Sequence, residues 1–126
     1  MNEKNLIKPD SIIVKSIVTA EMGTLIAKKY GVEMVDVLTG FKNIFAVQNE
    51  LDRTKAKTMI MGYEESIGYA VGTFVRDKDA VTSSMMFAEA AAFYRAQGKT
   101  LIDVLNELYK EFGYHREDTV SIVMEG

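Results

Sequence analysis

The segment 62–68 carries the residue types best suited to chemistry. It places two carboxylates, Glu64 and Glu65, and the hydroxyl of Ser66 between two glycines, directly after the apolar run 59–61. Carboxylates and hydroxyls are disfavoured in a protein core unless they are paired, and glycines allow a backbone to approach a ligand closely. Because open α/β sheets bind ligands just outside the carboxyl ends of their strands, this segment predicts a site for a hydroxyl-rich small molecule.

Glu64 and Ser66 are the pair that we expect to face one ligand. On an extended backbone alternate side chains share a face, so Glu65 is expected to point away from them. A carboxylate accepts hydrogen bonds from two neighbouring hydroxyls, and each bond to a charged group contributes roughly 1.5 to 3 kcal/mol when desolvated. The pair is therefore suited to a sugar diol, and a solvated acidic turn is the alternative interpretation.

Polar groups elsewhere in the chain suggest further ligand contacts. Lys15 interrupts an apolar strand pattern, where it either reaches an anion or a sugar oxygen or extends to solvent at the sheet edge. The segment 39–42 lies at a strand-to-helix junction, where free N–H groups suit polar or anionic ligands. Lys78 lies in the mixed-charge turn 76–79, which either reaches over the sheet end or is simply solvated. His115 has no arrangement of Asp and Ser around it and is interpreted as structural or exposed.

The composition excludes several classes of function. The chain has 126 residues, a net charge of −3 and no cysteine, which fits one domain without disulfides or thiolate metal sites. It has no basic stripe for nucleic acid, no apolar run approaching the roughly 20 residues that span a bilayer, and no signal-peptide pattern. We expect a cytoplasmic protein that binds neither nucleic acid nor membrane.

Motifs for reaction chemistry are also missing from the sequence. No Gly-x-Gly-x-x-Gly follows the first strand, and His and Asp do not cluster at metal spacing. The run Gly98-Lys99-Thr100 is not a Walker motif, because Phe93 stands where that motif has its first glycine. The sequence therefore predicts binding groups without a catalytic residue or a metal site.

Hydrophobic periodicity predicts alternating strands and helices. The predicted strands are 11–18, 32–38, 58–61 and 69–75. The first predicted helix is capped by Thr19 and stopped by Gly31, and the second runs from Phe41 to near Thr54. The third runs from its cap, Asp79, through Gln97, and the fourth begins at a capping box of Thr100 with Asp103 and is stopped by Gly113. Because only a short turn separates the third and fourth strands, these two are expected to be antiparallel. We predict a three-layer α/β fold with a mixed four-stranded sheet, mostly parallel with the last strand antiparallel, flanked by about four helices.

Residues 119–124 have the pattern of one more apolar strand near the end of the chain. This strand either begins a neighbouring domain or pairs with the edge of the sheet. The predicted domain therefore spans residues 1–118, and residues 119–126 are predicted to begin a linker or strand toward another domain.

Four motifs in this order resemble the third domain of the α-D-phosphohexomutases, the phosphoglucomutase/phosphomannomutase family. They are Val14-Lys15-Ser16, Thr39-Gly40-Phe41-Lys42, Gly62-Tyr63-Glu64-Glu65-Ser66-Ile67-Gly68 and Arg76-Asp77-Lys78-Asp79. The resemblance implies a sugar-binding domain at residues 1–118, followed toward the fourth domain by residues 119–126. The substrate-binding residues that it implies are Glu64, Ser66, Lys78, Thr39, Gly40, Phe41 and Lys15.

The resemblance also implies a reaction for the full-length enzyme. That reaction interconverts hexose 1-phosphate and hexose 6-phosphate through a phosphoserine, with Mg²⁺ and hexose 1,6-bisphosphate as cofactors. The phosphoserine and metal loops would lie among the other three domains of the same chain, so this chain alone is expected to be inactive. The run Ser66-Ile67-Gly68-Tyr69 favours glucose phosphate as substrate, before mannose or pentose phosphates. A stand-alone α/β ligand-binding or protein-interaction module is the alternative function.

Overall fold

A computed structural model describes residues 1, 4–118, 120 and 122–124 of the chain. Within these residues the chain forms four strands and four helices. In chain order they are β1 Ser11–Ser16, α1 Met22–Lys29, β2 Glu33–Val37, α2 Phe41–Thr54, β3 Thr58–Glu64, β4 Gly68–Val71, α3 Ala80–Arg95 and α4 Leu101–Phe112.

The strands form one mixed sheet in the order β2-β1-β3-β4. β1 is parallel to both β2 and β3, whereas β3 and β4 are antiparallel. The β-branched run in β1 favours an extended backbone, and the helices on the two faces of the sheet bury its side chains. The predicted fold class is confirmed.

The α2 helix packs its apolar stripe against one face of the sheet. Phe41, Ile44, Phe45 and Gln48 are its buried residues, and this spacing places them on one side of the helix. A Cβ atom at Gly62 would lie 2.6 Å from Ile44 Cγ2, so the glycine lets α2 approach β3 closely. Full burial of an apolar side chain of this kind contributes about 1.5 to 3 kcal/mol to folding.

The other helices lie on the opposite face of the sheet. Alternate residues of β4 pack against helices on opposite faces. Ala70 lies in the hydrophobic core under α2. The ring of Tyr69 packs edge-on against the ring of Phe87 in α3, with 5.9 Å between the two centroids. The α1 helix approaches the Tyr63 hydroxyl at Gly23, and α4 contacts α1 and α3. These contacts give the predicted three layers.

Several boundaries differ from the prediction. β1 ends at Ser16 rather than Val18, because the chain turns and the Thr19 N–H donates to the Ser16 carbonyl at 3.0 Å. The prediction that Thr19 caps the next helix is wrong, because α1 begins at Met22 without a side-chain cap. β3 continues to Glu64 instead of ending at Met61.

The remaining boundaries follow local backbone chemistry. β4 ends at Val71 rather than Val75, and Gly72 follows with a φ of +76° that does not continue a strand. Asp79 caps α3 by accepting from two backbone N–H groups, and Thr100 with Asp103 forms a capping box at α4, as predicted. The strand predicted at 119–124 falls partly on positions 119 and 121, which lie outside the described residues.

Candidate functional site

The carboxyl ends of β1, β2 and β3 lie at one edge of the sheet because these strands are parallel. The chain returns to this edge after β4, where the Asp79 N–H donates to the Tyr69 carbonyl at 2.8 Å. This contact brings Lys78 to the end of β3. The edge is the position at which open α/β sheets bind their ligands.

Glu64, Lys78 and Phe41 form the centre of the candidate site. The Glu64 carboxylate is 6% exposed and accepts a hydrogen bond from Lys78 Nζ at 3.1 Å. The Lys78 side chain is 55% exposed, and its ammonium lies 5.6 Å from the centroid of the Phe41 ring, within the range of a cation–π contact. The structure thus brings together three of the predicted ligand residues.

Gly68 provides the room that this cluster occupies. A Cβ atom at Gly68 would lie 2.6 Å from Glu64 Oε1, 2.7 Å from the Phe41 ring and 2.8 Å from Lys78 Cδ. No real Cβ contact is so short, so any side chain at this position displaces part of the cluster. The second glycine of the segment 62–68 therefore allows these three side chains to pack against the backbone.

Ser66 lies beside Glu65. Residues 65–67 form a turn, so the alternation that paired Glu64 with Ser66 ends at Glu64. The Ser66 hydroxyl donates to Glu65 Oε1 at 3.2 Å, while Ile67 adopts a φ of +58°. The prediction that Glu65 points away from Ser66 is wrong because the backbone is not extended there.

Ser16, at the end of β1, holds the Glu65 carboxylate, and Thr19 lies beside both. The Ser16 hydroxyl, which is fully buried, donates to Glu65 Oε2 at 2.5 Å, and the Thr19 hydroxyl lies 3.4 Å from the same oxygen. The bond from Ser16 is the main reason that the pKa of Glu65 is lowered from its usual value. Glu65 is therefore an ionised acceptor at neutral pH.

Lys15 lies on the face of the sheet opposite α2 and is fully buried. Its ammonium donates to the Thr19 carbonyl at 2.9 Å and to Glu21 at 3.2 Å, and it lies 3.1 Å from Asp36 Oδ1. Because β1 is central, the alternative that Lys15 reaches solvent at a sheet edge does not hold. The lysine bond is also the main reason that the pKa of Glu21 is lowered.

Thr39 and Gly40 lie at the start of α2, next to Phe41. The Thr39 carbonyl accepts from the Asn43 side chain at 2.8 Å, and Gly40 has a φ of +102°, a region that favours glycine. No side chain of the described chain caps this helix end. The two residues adjoin the cluster through Phe41, but the described residues give them no hydrogen bond to Glu64 or Lys78.

Tyr63 and His115 are two further titratable side chains of the chain. Burial, with the nearby charges of Glu21 and Asp36, raises the pKa of Tyr63 to about 12, so its phenol stays protonated. His115 forms a hydrogen bond between Nδ1 and the Gly113 carbonyl, 2.9 Å away, which agrees with a structural role.

The part of the chain that the structure describes contains no group of three or more His, Cys, Asp or Glu side chains placed to hold a metal ion. It also contains no helix whose length and apolar character would allow it to cross a membrane.

The sequence alone did not indicate that Ser16, Thr19 and Gly68 belong to the candidate site. Two of them had a visible signal, because Ser16 follows Lys15 at the end of an apolar strand and Gly68 closes the acidic segment. Thr19 was instead expected to cap a helix. Only the tertiary structure shows that its hydroxyl lies against Glu65.

The fold is that of an α/β domain, with a cluster of polar side chains at the carboxyl edge of a mixed sheet. The sequence model of a family described as "Phosphoglucomutase/phosphomannomutase, alpha/beta/alpha domain III" matches residues 1–112. The chain belongs to this family.

Related proteins agree with the assignment. A phosphoglucomutase of Staphylococcus haemolyticus strain JCSC1435 is 39% identical over 116 residues, which cover 92% of this chain and 21% of that protein. A phosphoglucomutase of Staphylococcus aureus strain USA300 is 37% identical over 115 residues, covering 91% and 20%. The chain thus spans about a fifth of the length of these relatives.

A solved structure supports the fold. The crystal structure of a Thermus thermophilus protein, provisionally assigned as a phosphomannomutase, superposes with a TM-score of 0.62 at 21% sequence identity. The match covers 79% of this chain and 21% of that chain. The architecture described above therefore also occurs within a larger protein.

Proposed function

We propose that this chain is the sugar-phosphate-binding domain of a phosphohexomutase that interconverts hexose 1-phosphate and hexose 6-phosphate. The observation that carries the proposal is the Glu64–Lys78 pair at the carboxyl edge of the sheet, beside the turn that presents Ser66. Glucose phosphate is the first choice of substrate, since the relatives cited above are named phosphoglucomutases. Mannose and pentose phosphates follow.

The pair offers complementary groups to a sugar phosphate. The Glu64 carboxylate accepts hydrogen bonds from sugar hydroxyls, whereas the Lys78 ammonium donates to hydroxyl or phosphate oxygens. Because Lys78 is more than half exposed, it can turn from Glu64 toward an entering ligand. Phe41 supports the ammonium, and Thr39 and Gly40 present backbone groups beside it.

Contacts to hydroxyls suit a substrate that must bind in two orientations. In the proposed reaction the phosphoryl group is transferred first at one end of the hexose and then at the other. Groups that hold hydroxyls away from both ends position the sugar for in-line transfer without favouring either end. Glu64 and Ser66 are proposed to do this, and Lys15 is proposed to act near the ligand by fixing the 17–21 segment.

The reaction chemistry is proposed to come from outside this chain. Mg²⁺ neutralises charge on a phosphoryl group in transfer, but the described residues include no donor cluster that fits it. The phosphoserine and the metal loop would belong with the other three domains, and hexose 1,6-bisphosphate would be a cofactor of the full-length enzyme. The greater length of the relatives supports this division, and the chain alone is proposed to be inactive.

Replacement of Glu64 by alanine in the complete protein tests the proposed function. We expect kcat/KM for glucose 1-phosphate to fall by roughly 10- to 100-fold, which corresponds to the loss of one or two hydrogen bonds to a charged group. Glu107→Gln is the matched control, because Glu107 is an exposed carboxylate on α4 that pairs with Lys99. An unchanged kcat/KM in Glu64→Ala would contradict the assignment of Glu64 as a sugar ligand.

A further inference from the structure

A continuous set of hydrogen bonds joins the end of β1 to the turn 65–67. The Lys15 ammonium donates to the Thr19 carbonyl at 2.9 Å, and the hydroxyls of Thr19 and Ser16 lie 2.6 Å apart. Ser16 then donates to Glu65 Oε2 at 2.5 Å, and Glu65 Oε1 accepts from Ser66 at 3.2 Å. The set begins at a fully buried ammonium and ends at an exposed hydroxyl.

We infer that Glu65 is a positioning residue that fixes the direction of the Ser66 hydroxyl toward the ligand, and that Ser16 and Thr19 hold Glu65 for this purpose. The inference rests on the proposed function, because it assumes that Ser66 contacts a sugar hydroxyl. It assigns a role to three residues that are not among the predicted ligands.

The direction of each hydrogen bond follows from the number of protons available. An ionised carboxylate only accepts, so Ser16 uses its one proton on Glu65 and must accept from Thr19. Each hydroxyl therefore points toward the carboxylate, an arrangement in which successive bonds strengthen one another. The lowered pKa of Glu65 agrees with this order, since it reports that the charged form is favoured.

The number of available protons also determines how Ser66 can contact a ligand. Its single proton is directed to Glu65 Oε1, so the lone pairs of its oxygen face away from the carboxylate. Ser66 therefore meets a ligand as a hydrogen-bond acceptor. A sugar hydroxyl can satisfy it by donating, whereas a group that only accepts, such as a phosphate oxygen, cannot.

Replacement of Glu65 by glutamine reverses this direction with little change of size. The amide oxygen can still accept from Ser16, which places the amide NH₂ group against Ser66 and turns the serine proton outward. We expect kcat/KM for glucose 1-phosphate in the complete protein to fall about tenfold, the effect of one lost hydrogen bond. Thr19→Val, which replaces the hydroxyl by a methyl group, should also lower kcat/KM. Thr19→Ser, which keeps the hydroxyl, should leave kcat/KM close to the wild-type value.

A double-mutant cycle separates positioning from a structural role. If Glu65 acts through Ser66, Glu65→Gln lowers kcat/KM in the wild-type background and has no further effect in Ser66→Ala. An equal loss in both backgrounds, or no loss in the wild-type background, would overturn the inference. Melting temperatures and circular dichroism of each variant establish that it is folded, and the Thr19 pair provides the same comparison if Glu65→Gln does not fold.

The outcome for Ser66→Ala separates this inference from the proposed function. If Ser66→Ala and Glu64→Ala both retain wild-type kcat/KM, the proposed sugar site itself is wrong. If Ser66→Ala lowers kcat/KM and Glu65→Gln lowers it by the same factor in both backgrounds, the proposed sugar site is supported and only the positioning role of Glu65 is wrong.

Discussion

At the scale of single residues, the two adjacent carboxylates of the acidic segment have different surroundings. Glu64 ends a strand, is buried, and is neutralised by Lys78, whereas Glu65 begins a turn, is exposed, and is held by the Ser16 hydroxyl at the end of β1. A buried charge is costly unless it is paired, so the Glu64 site depends on Lys78. The sequence predicted that Glu64 is functional but could not predict the turn that separates it from Ser66.

Gly68 provides a test of the packing around Glu64. Gly68→Ala places a Cβ atom within 2.8 Å of Glu64, Phe41 and Lys78. We expect the free energy of unfolding to fall by about 1 to 3 kcal/mol, as for other overpacked positions, and kcat/KM of the complete protein to fall by more than tenfold as the ion pair is displaced. Urea denaturation and steady-state kinetics measure the two effects.

Gly98→Ala is the matched control for this substitution. Gly98 has a φ of +76°, but a Cβ atom there has no neighbour within 4 Å, so alanine introduces backbone strain without a clash. We expect it to lower stability and leave kcat/KM unchanged. If Gly68→Ala also leaves kcat/KM unchanged, the cluster of Glu64, Phe41 and Lys78 is not part of the sugar site.

At the scale of elements, the turn between β3 and β4 carries backbone strain. Ile67 is a β-branched residue at a φ of +58° and is 83% exposed, a conformation that costs an L-residue roughly 1 to 2 kcal/mol. Strain of this kind persists where the surrounding structure imposes it, and it is common at ligand sites. Here the β3–β4 pairing at Glu64 and Gly68 leaves three residues to reverse the chain.

Ile67→Asn should therefore stabilise the fold, because asparagine tolerates the left-handed region. We expect the free energy of unfolding in urea to rise by about 0.5 to 1 kcal/mol. Ile102→Asn is the control, since Ile102 is an exposed isoleucine in the α4 helix, where asparagine is a poorer helix former. A destabilised Ile67→Asn variant with an equally destabilised control would show that the turn is not strained.

The elements themselves were largely predictable from the sequence, and the ends of the strands were not. β-branched runs, helical periodicity and the caps at Asp79 and Thr100 are local signals, and the structure contains each of them. The end of β1 depends on the turn at Thr19, and the extension of β3 to Glu64 depends on pairing with β4. The apolar pattern of 11–18 does not report the bond between Ser16 and Thr19, and the pattern of 58–61 does not report how far this strand pairs with β4.

At the scale of the whole molecule, large apolar side chains remain exposed at or near the edge that carries the site. Ile17, Val18 and Leu38, which follow β1 and β2, are each more than half exposed. Exposed apolar groups close together commonly mark surfaces that another protein surface covers. We propose that the other domains of a longer protein cover them, which agrees with the chain's share of about a fifth of the length of its relatives.

The most direct test of the central claim is a crystal structure of the complete protein with glucose 1-phosphate bound. We predict sugar hydroxyl oxygens within about 3.2 Å of a Glu64 carboxylate oxygen and of the Ser66 hydroxyl, with Lys78 turned toward the ligand. A sugar phosphate bound with its hydroxyls away from Glu64 and Ser66, and with the Glu64–Lys78 pair unchanged, would contradict the claim.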